Sequence, residues 1–304
     1  MRMKRLGKDG PDVSAICFGA MELGGRMGPI EESEAIATAH AAIDAGVTFF
    51  DTAEGYATSE EITGKALVGK RDQVFLATKL SGDQSKEHIA EAFENSLRML
   101  RTDHIDLYQL HRPKPQWPIE ETLGELVKLR DQGKIGHIGL SNFSAAQTAE
   151  AMQYAPIVSH QPRYSMLFRE SEEELFPFCL ENGVGTMVYA PLAKGLLSGK
   201  YGPDHVFTVE GDTRAGHRSF NAENMQAAHD VTQRLKGWAA DHGRSLVQLA
   251  VAWTQAHPAV TATICGAKSP AQIIETGAAG DWVLSTSDLA EVEVLVGGIR
   301  LSDG

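Results

Sequence analysis

Short apolar runs alternate with amphipathic stretches from one end of the chain to the other. Runs at 15–18, 47–50, 74–78, 105–110, 136–140, 156–160, 185–189 and 261–265 each read as a strand. Nearly every position in them is apolar, as expected for strands covered on both faces. The stretches between them carry helical periodicity. Glu34 to Ala45 stops at Gly46, a residue suited to the left-handed position past a helix end. Glu87 to Leu100 puts Ile89, Phe93, Leu97 and Leu100 on one face. Pro118 to Asp131 opens on a proline fit for a first turn and stops at Gly133. Ser144 followed by Gln147 is a capping-box pattern that opens a further helix.

Eight strands, most followed by a helix, predict an all-parallel sheet. It can stay open and doubly wound or close into a barrel. No Gly-x-Gly-x-x-Gly follows the first strand, where glycines stand at 19, 24 and 25. That absence and the strand count favour a (β/α)8 TIM barrel. Residues 194–221 break the rhythm, being rich in Gly, charge and His without a clear period. Connections that long are usually functional. Two helices, 222–241 and 246–256, precede the last strand instead of one. No internal repeat or low-complexity linker divides the chain, so residues 1–304 are expected to form one domain.

Composition narrows the function. The net charge of -12, with no basic stripe, argues against a nucleic-acid surface. Cys17, Cys179 and Cys265 are far apart and form no Cys-x-x-Cys, which points to a reducing compartment and away from structural zinc. The charged N-terminus leads into no apolar stretch, and no run is long enough to span a bilayer. The chain reads as cytoplasmic, without a membrane partner.

Polar residues just past the apolar runs carry the chemistry. Asp51 ends the second run, Tyr56 lies in the loop after it, Lys79 ends the third and His111 follows the fourth. Singly, Asp51 could cap a loop and His111 could be a satisfied core histidine. Gathered at one sheet edge, they make a proton-transfer site. A buried lysine needs a partner, and Asp51 stands one strand over. An ammonium roughly 4 Å from a phenol contributes on the order of 4 kcal/mol at an effective dielectric of about 20. That predicts a Tyr56 pKa lowered by up to about 3 units before Asp51 offsets part of it. Such a phenol could protonate the alkoxide left by hydride addition to a carbonyl, with His111 orienting the oxygen.

Asp-x-x-x-x-Tyr, Thr78-Lys79 and Leu110-His111-Arg112-Pro113, in this order, resemble the aldo-keto reductase superfamily. The likeness covers nearly the whole chain, through Gly19-Ala20-Met21, Gly133 to Phe143, Gln161 to Ser165, Tyr189 to Leu192 and Gly266 to Ser269. It implies a barrel with a nicotinamide cofactor, NADP(H), across its C-terminal face and a small-molecule carbonyl substrate. It implies that Tyr56 is the general acid, tuned by Lys79 and Asp51, with His111 placing the substrate. Gly19, Ala20 and Met21 would line the cofactor. Ser141, Asn142 and Gln161 would hold its carboxamide and Tyr189 would stack on the nicotinamide. Pro191, Leu192, Lys194 and Gly195 would meet the pyrophosphate. Gly266, Lys268, Ser269, Gln272, Glu275 and Thr276 would form the adenosine-phosphate site, Lys268 and Ser269 taking the 2′-phosphate. Lysine stands where arginine is common at 268, Thr276 where asparagine is frequent, and Ala190 replaces a frequent serine.

Other patterns fail. Gly195 to Lys200 has three residues between its glycines where a phosphate loop has four, and no Ser/Thr after the lysine. Histidines 104, 111, 137 and 160 fall on different strands or strand ends, so no metal is expected. No serine stands in a nucleophile-elbow context. The expected activity is NADPH-dependent reduction of aldehydes or ketones to alcohols. The rivals are a sugar or polyol dehydrogenase on the same site and a channel-subunit-like regulatory protein that keeps the cofactor site. The sequence leaves substrate and oligomeric state open.

Overall fold

The structure, a computed structural model, describes residues 1–209 and 212–301; positions 210–211 of the long connection and 302–304 of the expected domain lie outside the described residues. A hairpin of β1 (Met3–Arg5) and β2 (Asp12–Ser14) comes first. The barrel strands follow: β3 (Ile16–Gly19), β4 (Phe49–Asp51), β5 (Phe75–Leu80), β6 (Ile105–Leu110), β7 (Ile135–Ser141), β8 (Ile157–Gln161), β9 (Gly185–Val188) and β10 (Val260–Gly266). Helices α1 (Glu32–Asp44), α2 (Ser59–Ala66), α3 (Lys86–Leu100), α4 (Ile119–Asp131), α5 (Ala145–Ala151) and α6 (Leu175–Asn182) alternate with them. Both α7 (Ala222–Asp241) and α8 (Leu246–Ala256) precede β10, and α9 (Pro270–Gly277) and α10 (Thr286–Val296) follow it.

The sheet closes. β10 pairs in parallel with both β3 and β9, so no strand edge remains and the (β/α)8 barrel is the fold. Helix ends follow local chemistry. Gly46 has φ +77°, and the Gly46 and Val47 amides bond back to Ile43 O and Ala42 O, each at 2.9 Å. That is a Schellman stop, and Gly133 repeats it after α4. The Ser144–Gln147 capping box forms reciprocally at 3.1 and 2.9 Å.

Inside the barrel, Cys17, Phe49, Ala77, Leu107, Met187 and Ala262 pack with Leu6 and Val13 of the hairpin. The hairpin therefore plugs one end. Lys8 N–H donates to Gly183 O at 2.8 Å and Lys4 Nζ to Val260 O at 2.9 Å, both at strand N-termini. Only the C-terminal mouth is left open for chemistry.

The described residues of the long connection gather around a small aromatic core of their own. Two 3₁₀ turns, Ala193–Ser198 and Arg218–Phe220, flank a cluster of Tyr201, His205, Phe207 and Phe220. The Arg214 guanidinium sits 4.3 Å from the Phe207 ring centre and pairs with Asp212 at 2.6 Å. Thr213 N–H donates to Arg26 O at 3.2 Å, which ties the connection to the loop after β3, across the mouth.

Candidate active site

Strand alternation aims the functional side chains. Phe75, Ala77 and Lys79 share one face of β5, and register places Lys79 beside Gln109 on β6. Lys79 is fully buried and Asp51 is 3% exposed. Lys79 Nζ donates to Asp51 Oδ2 at 2.5 Å and to Thr52 O at 2.8 Å. The other carboxylate oxygen accepts from Gln109 Nε2 at 2.9 Å and Gln161 Nε2 at 3.1 Å. The buried pair thus meets the condition under which burial is tolerable, with its donors and acceptors matched; removing one partner typically costs about 3–5 kcal/mol. Burial pulls the Lys79 pKa down, but Asp51 and then Tyr56 outweigh it, so the net shift is upward and the ammonium stays charged.

The Tyr56 ring lies 4.9 Å from Lys79 Nζ, and its hydroxyl is 3.3 Å from His111 Nε2. The two rings meet edge to face at 5.4 Å. The phenol differs from the sequence-based expectation. Burial raises its pKa, Lys79 opposes the rise, Asp51 adds to it, and the net shift is upward. A Coulomb estimate from Lys79 leaves out the cost of desolvating a phenolate, and here that cost is the larger effect. His111 is held down at about 3, by burial first and then by Lys79, Arg112, Arg26 and Lys114. It is therefore a neutral imidazole near pH 7, with one ring nitrogen able to donate and the other to accept. Ser81 Oγ lies 2.7 Å from its Nδ1.

The expected cofactor residues line the same mouth, with differences in posture. Asn142 adopts φ +62°; its Nδ2 donates to His111 O at 3.0 Å and Ser141 Oγ at 2.9 Å, and its Oδ1 accepts from Tyr189 OH at 2.8 Å. Gln161 turns inward, onto Asp51 and Gln109. Ala190, Ala193, Lys194 and Gly195 all have positive φ, bending the backbone around Pro191 and Leu192. Bends of this kind gather N–H groups into anion seats. Lys194 Nζ lies 2.8 Å from His217 Nε2.

At the end of β10, Gly266 pairs with Gly19, with Ala20 and Met21 just beyond. A Cβ on Gly266 would collide with the Glu22 carboxylate. Lys268 Nζ donates to Met27 O at 3.3 Å and Gly28 O at 3.2 Å, and its amide donates to Gln272 Oε1 at 2.8 Å. Ser269 is the residue preceding α9, and its hydroxyl makes no capping bond. Glu275 is half-buried on α9. Thr276 is only 3% exposed, its hydroxyl folded back onto Gln272 O and Ile273 O at 3.1 and 3.3 Å.

The sequence reading passed over Gln109, Ser81 and Glu22. Gln109 and Ser81 had a signal: Gln109 lies two residues before His111 and Ser81 two residues after Lys79, on the same strand face or its extension. Glu22 had none, since its place depends on the fold of the 3₁₀ turn Ala20–Gly24.

Catalytic-type side chains at the C-terminal end of a closed parallel barrel mark a barrel enzyme site. A family model described as "Aldo/keto reductase family" matches residues 15–296. The aldo-keto reductase YhdN of Bacillus subtilis (strain 168) is 36% identical over 312 residues, covering 97% of this chain and 94% of its own. A probable voltage-gated potassium channel subunit beta of Oryza sativa subsp. japonica is 34% identical and covers 97% of each. The solved glycerol dehydrogenase AKR11B4 from Gluconobacter oxydans superposes with a TM-score of 0.89 at 30% identity, over 98% of this chain and 95% of that one. This chain belongs to the aldo-keto reductase family. Members are oxidoreductases that interconvert carbonyls and alcohols with nicotinamide cofactors. The bent backbone at 190–195, the uncommitted Ser269 hydroxyl at a helix start and the Tyr189 ring fit such a dinucleotide.

Proposed function

We propose that this chain reduces aldehydes or ketones to alcohols, with NADPH as hydride source and Tyr56 as proton donor. The observation that carries the reading is the Tyr56 hydroxyl, 3.3 Å from a neutral His111 and beside the Lys79–Asp51 pair. Bound NADPH supplies the hydride. With Ser81 donating to His111 Nδ1, Nε2 carries the hydrogen and faces the space beside the phenol. A carbonyl oxygen seated there accepts from both groups. The raised phenol pKa keeps Tyr56 protonated until negative charge develops on that oxygen. Tyr56 then gives up its proton, and Lys79 stabilises the phenolate formed.

In this reading Ser141, Asn142 and Gln161 meet the carboxamide, Tyr189 the ring, and Pro191 to Gly195 the pyrophosphate. Gly266 through Thr276 seats the adenosine half, and Lys268 exchanges a loop carbonyl for the 2′-phosphate. Three buried thiols outside any disulfide support a reducing, cytoplasmic setting. Alcohol oxidation is the second reading, because the same groups run in reverse, and likeness to a glycerol dehydrogenase favours testing polyols.

Purified protein mixed with NADPH and a panel of aldehydes, ketones and sugars should consume NADPH in an aldehyde-dependent way, and NADH more slowly. Tight cofactor binding with no turnover across the panel would reject this reading in favour of a regulatory protein like the channel subunit.

A further inference from the structure

The two ring nitrogens of His111 each face a hydroxyl. Nε2 lies 3.3 Å from Tyr56 OH, and Nδ1 lies 2.7 Å from Ser81 Oγ. Ser81 stands just past β5, at the start of a turn whose next two residues, Gly82 and Asp83, are exposed. Apolar packing therefore cannot pin this part of the turn. Its far end is tied down by Gln84, whose Nε2 donates to Arg112 O at 2.9 Å. Its near end is tied by Glu54, a half-buried residue two positions before Tyr56. One carboxylate oxygen, Oε1, accepts from the amides of both Ser81 and Gly82, at 2.5 and 2.8 Å. The Glu54 amide in turn donates to Lys79 O at 3.3 Å. Between Glu54 and Tyr56 the chain carries Gly55, where a Cβ would come within 3.0 Å of Ser81 Cβ and Oγ. The loop that carries the phenol thus lies directly against the serine that holds the imidazole.

We propose that Glu54 is a positioning residue: it fixes the Ser81 turn, and through the Ser81 hydroxyl it sets the orientation and tautomer of His111. The inference rests on the carbonyl-reduction reading and deepens it. A carboxylate that accepts two successive amides makes charge-assisted bonds, stronger than those of a neutral acceptor. Ser81 can donate to Nδ1 only while its hydroxyl is held in place, and a neutral imidazole carries its hydrogen on Nε2 only while Nδ1 is bare. The backbone of His111 is fixed separately: its amide donates to Leu80 O at 3.0 Å, and its carbonyl accepts from Asn142 Nδ2 at 3.0 Å. What Glu54 governs is therefore the ring and its proton, not the path of the chain. Because Glu54 and Tyr56 share a loop, one segment places both groups that meet the carbonyl oxygen.

Glu54→Ala, Glu54→Gln, Ser81→Ala and the double variant Glu54→Ala/Ser81→Ala test this with two readouts. The first is kcat for an aldehyde at saturating NADPH. Ser81→Ala should lower it by about 2- to 10-fold, the reach of one neutral hydrogen bond. Glu54→Ala should lower it by no more than that, and the double variant should match Ser81→Ala, because Glu54 acts through the serine. Glu54→Gln keeps an acceptor oxygen without the charge and should recover most of the loss. The second readout needs no turnover: the ¹⁵N spectrum of ring-labelled histidine. Wild type should show His111 as the single tautomer with its hydrogen on Nε2, and Glu54→Ala and Ser81→Ala should each bring in the other tautomer. Losses that multiply in the double variant, a Gln variant as damaged as the Ala variant, or a His111 tautomer indifferent to Glu54→Ala would each overturn the proposal while leaving carbonyl reduction standing. A wild-type protein that turns over no aldehyde rejects carbonyl reduction, and the ring spectrum then decides the role of Glu54 alone.

Discussion

A phenol, an ammonium, a carboxylate and an imidazole share one end of the barrel, and their charge states are coupled. Asp51 keeps Lys79 charged, Lys79 limits how far burial raises Tyr56, and Lys79 also helps keep His111 neutral. Glu22 is a less settled neighbour. Its carboxylate lies against Gly266, and no other residue's side chain hydrogen-bonds or ion-pairs it among those described. Burial raises its pKa to about 7, against the weaker pull of Arg214 and Lys268. A carboxyl that binds its proton more tightly when folded adds stability that is complete below about pH 4.5 and is lost as pH climbs to about 7. Glu22→Gln should therefore melt like wild type near pH 4.5 and a few degrees higher at pH 8, as followed by circular dichroism. Identical melting temperatures at pH 8 would mean the carboxylate finds a partner in solution. Asp51, Lys79 and His111 were legible because each follows an apolar run directly, and Tyr56 because it lies in the loop that Asp51 opens. The net sign of the Tyr56 shift was not, since it depends on burial that only the folded mouth defines.

At the scale of elements, the strands were readable because burial on both faces leaves continuous apolar runs, and helices such as α3 and α7 because their apolar stripes are long. Four helices and the hairpin were less visible. Strands β1 and β2 have three residues each. Helix α2 is eight residues long and contains Gly64, which sits there because a Cβ would strike Met99 O on α3. Helix α9 is equally short. The connection 194–221 showed no period because clustered aromatics and the Arg214–Asp212 pair organise it. Among the described residues, its backbone tie across the mouth is the bond from Thr213 N–H to Arg26 O, with Lys268 holding the loop beneath. Hydrogen exchange should show this segment protected on addition of NADP⁺, as a cover that orders over the cofactor. Equal protection with and without NADP⁺ would make it a fixed part of the wall.

The whole molecule divides its labour along the barrel axis. The hairpin plugs the N-terminal end and the apolar interior fills the middle, so ionisable side chains can converge only at the C-terminal mouth. That asymmetry is why eight apolar runs and the residues that end them were enough to point to the site. What lies above the mouth was not legible, because the loops after β3 and β9 meet only once the barrel has closed. The central claim is that Tyr56 supplies the proton in carbonyl reduction, and Tyr56→Phe tests it most directly. NADPH affinity, measured by fluorescence titration, should change little, while kcat for an aldehyde substrate should fall by about 10²- to 10⁴-fold, the range for losing a positioned general acid. A Phe variant that binds NADPH normally and reduces the aldehyde at close to the wild-type rate would contradict the claim.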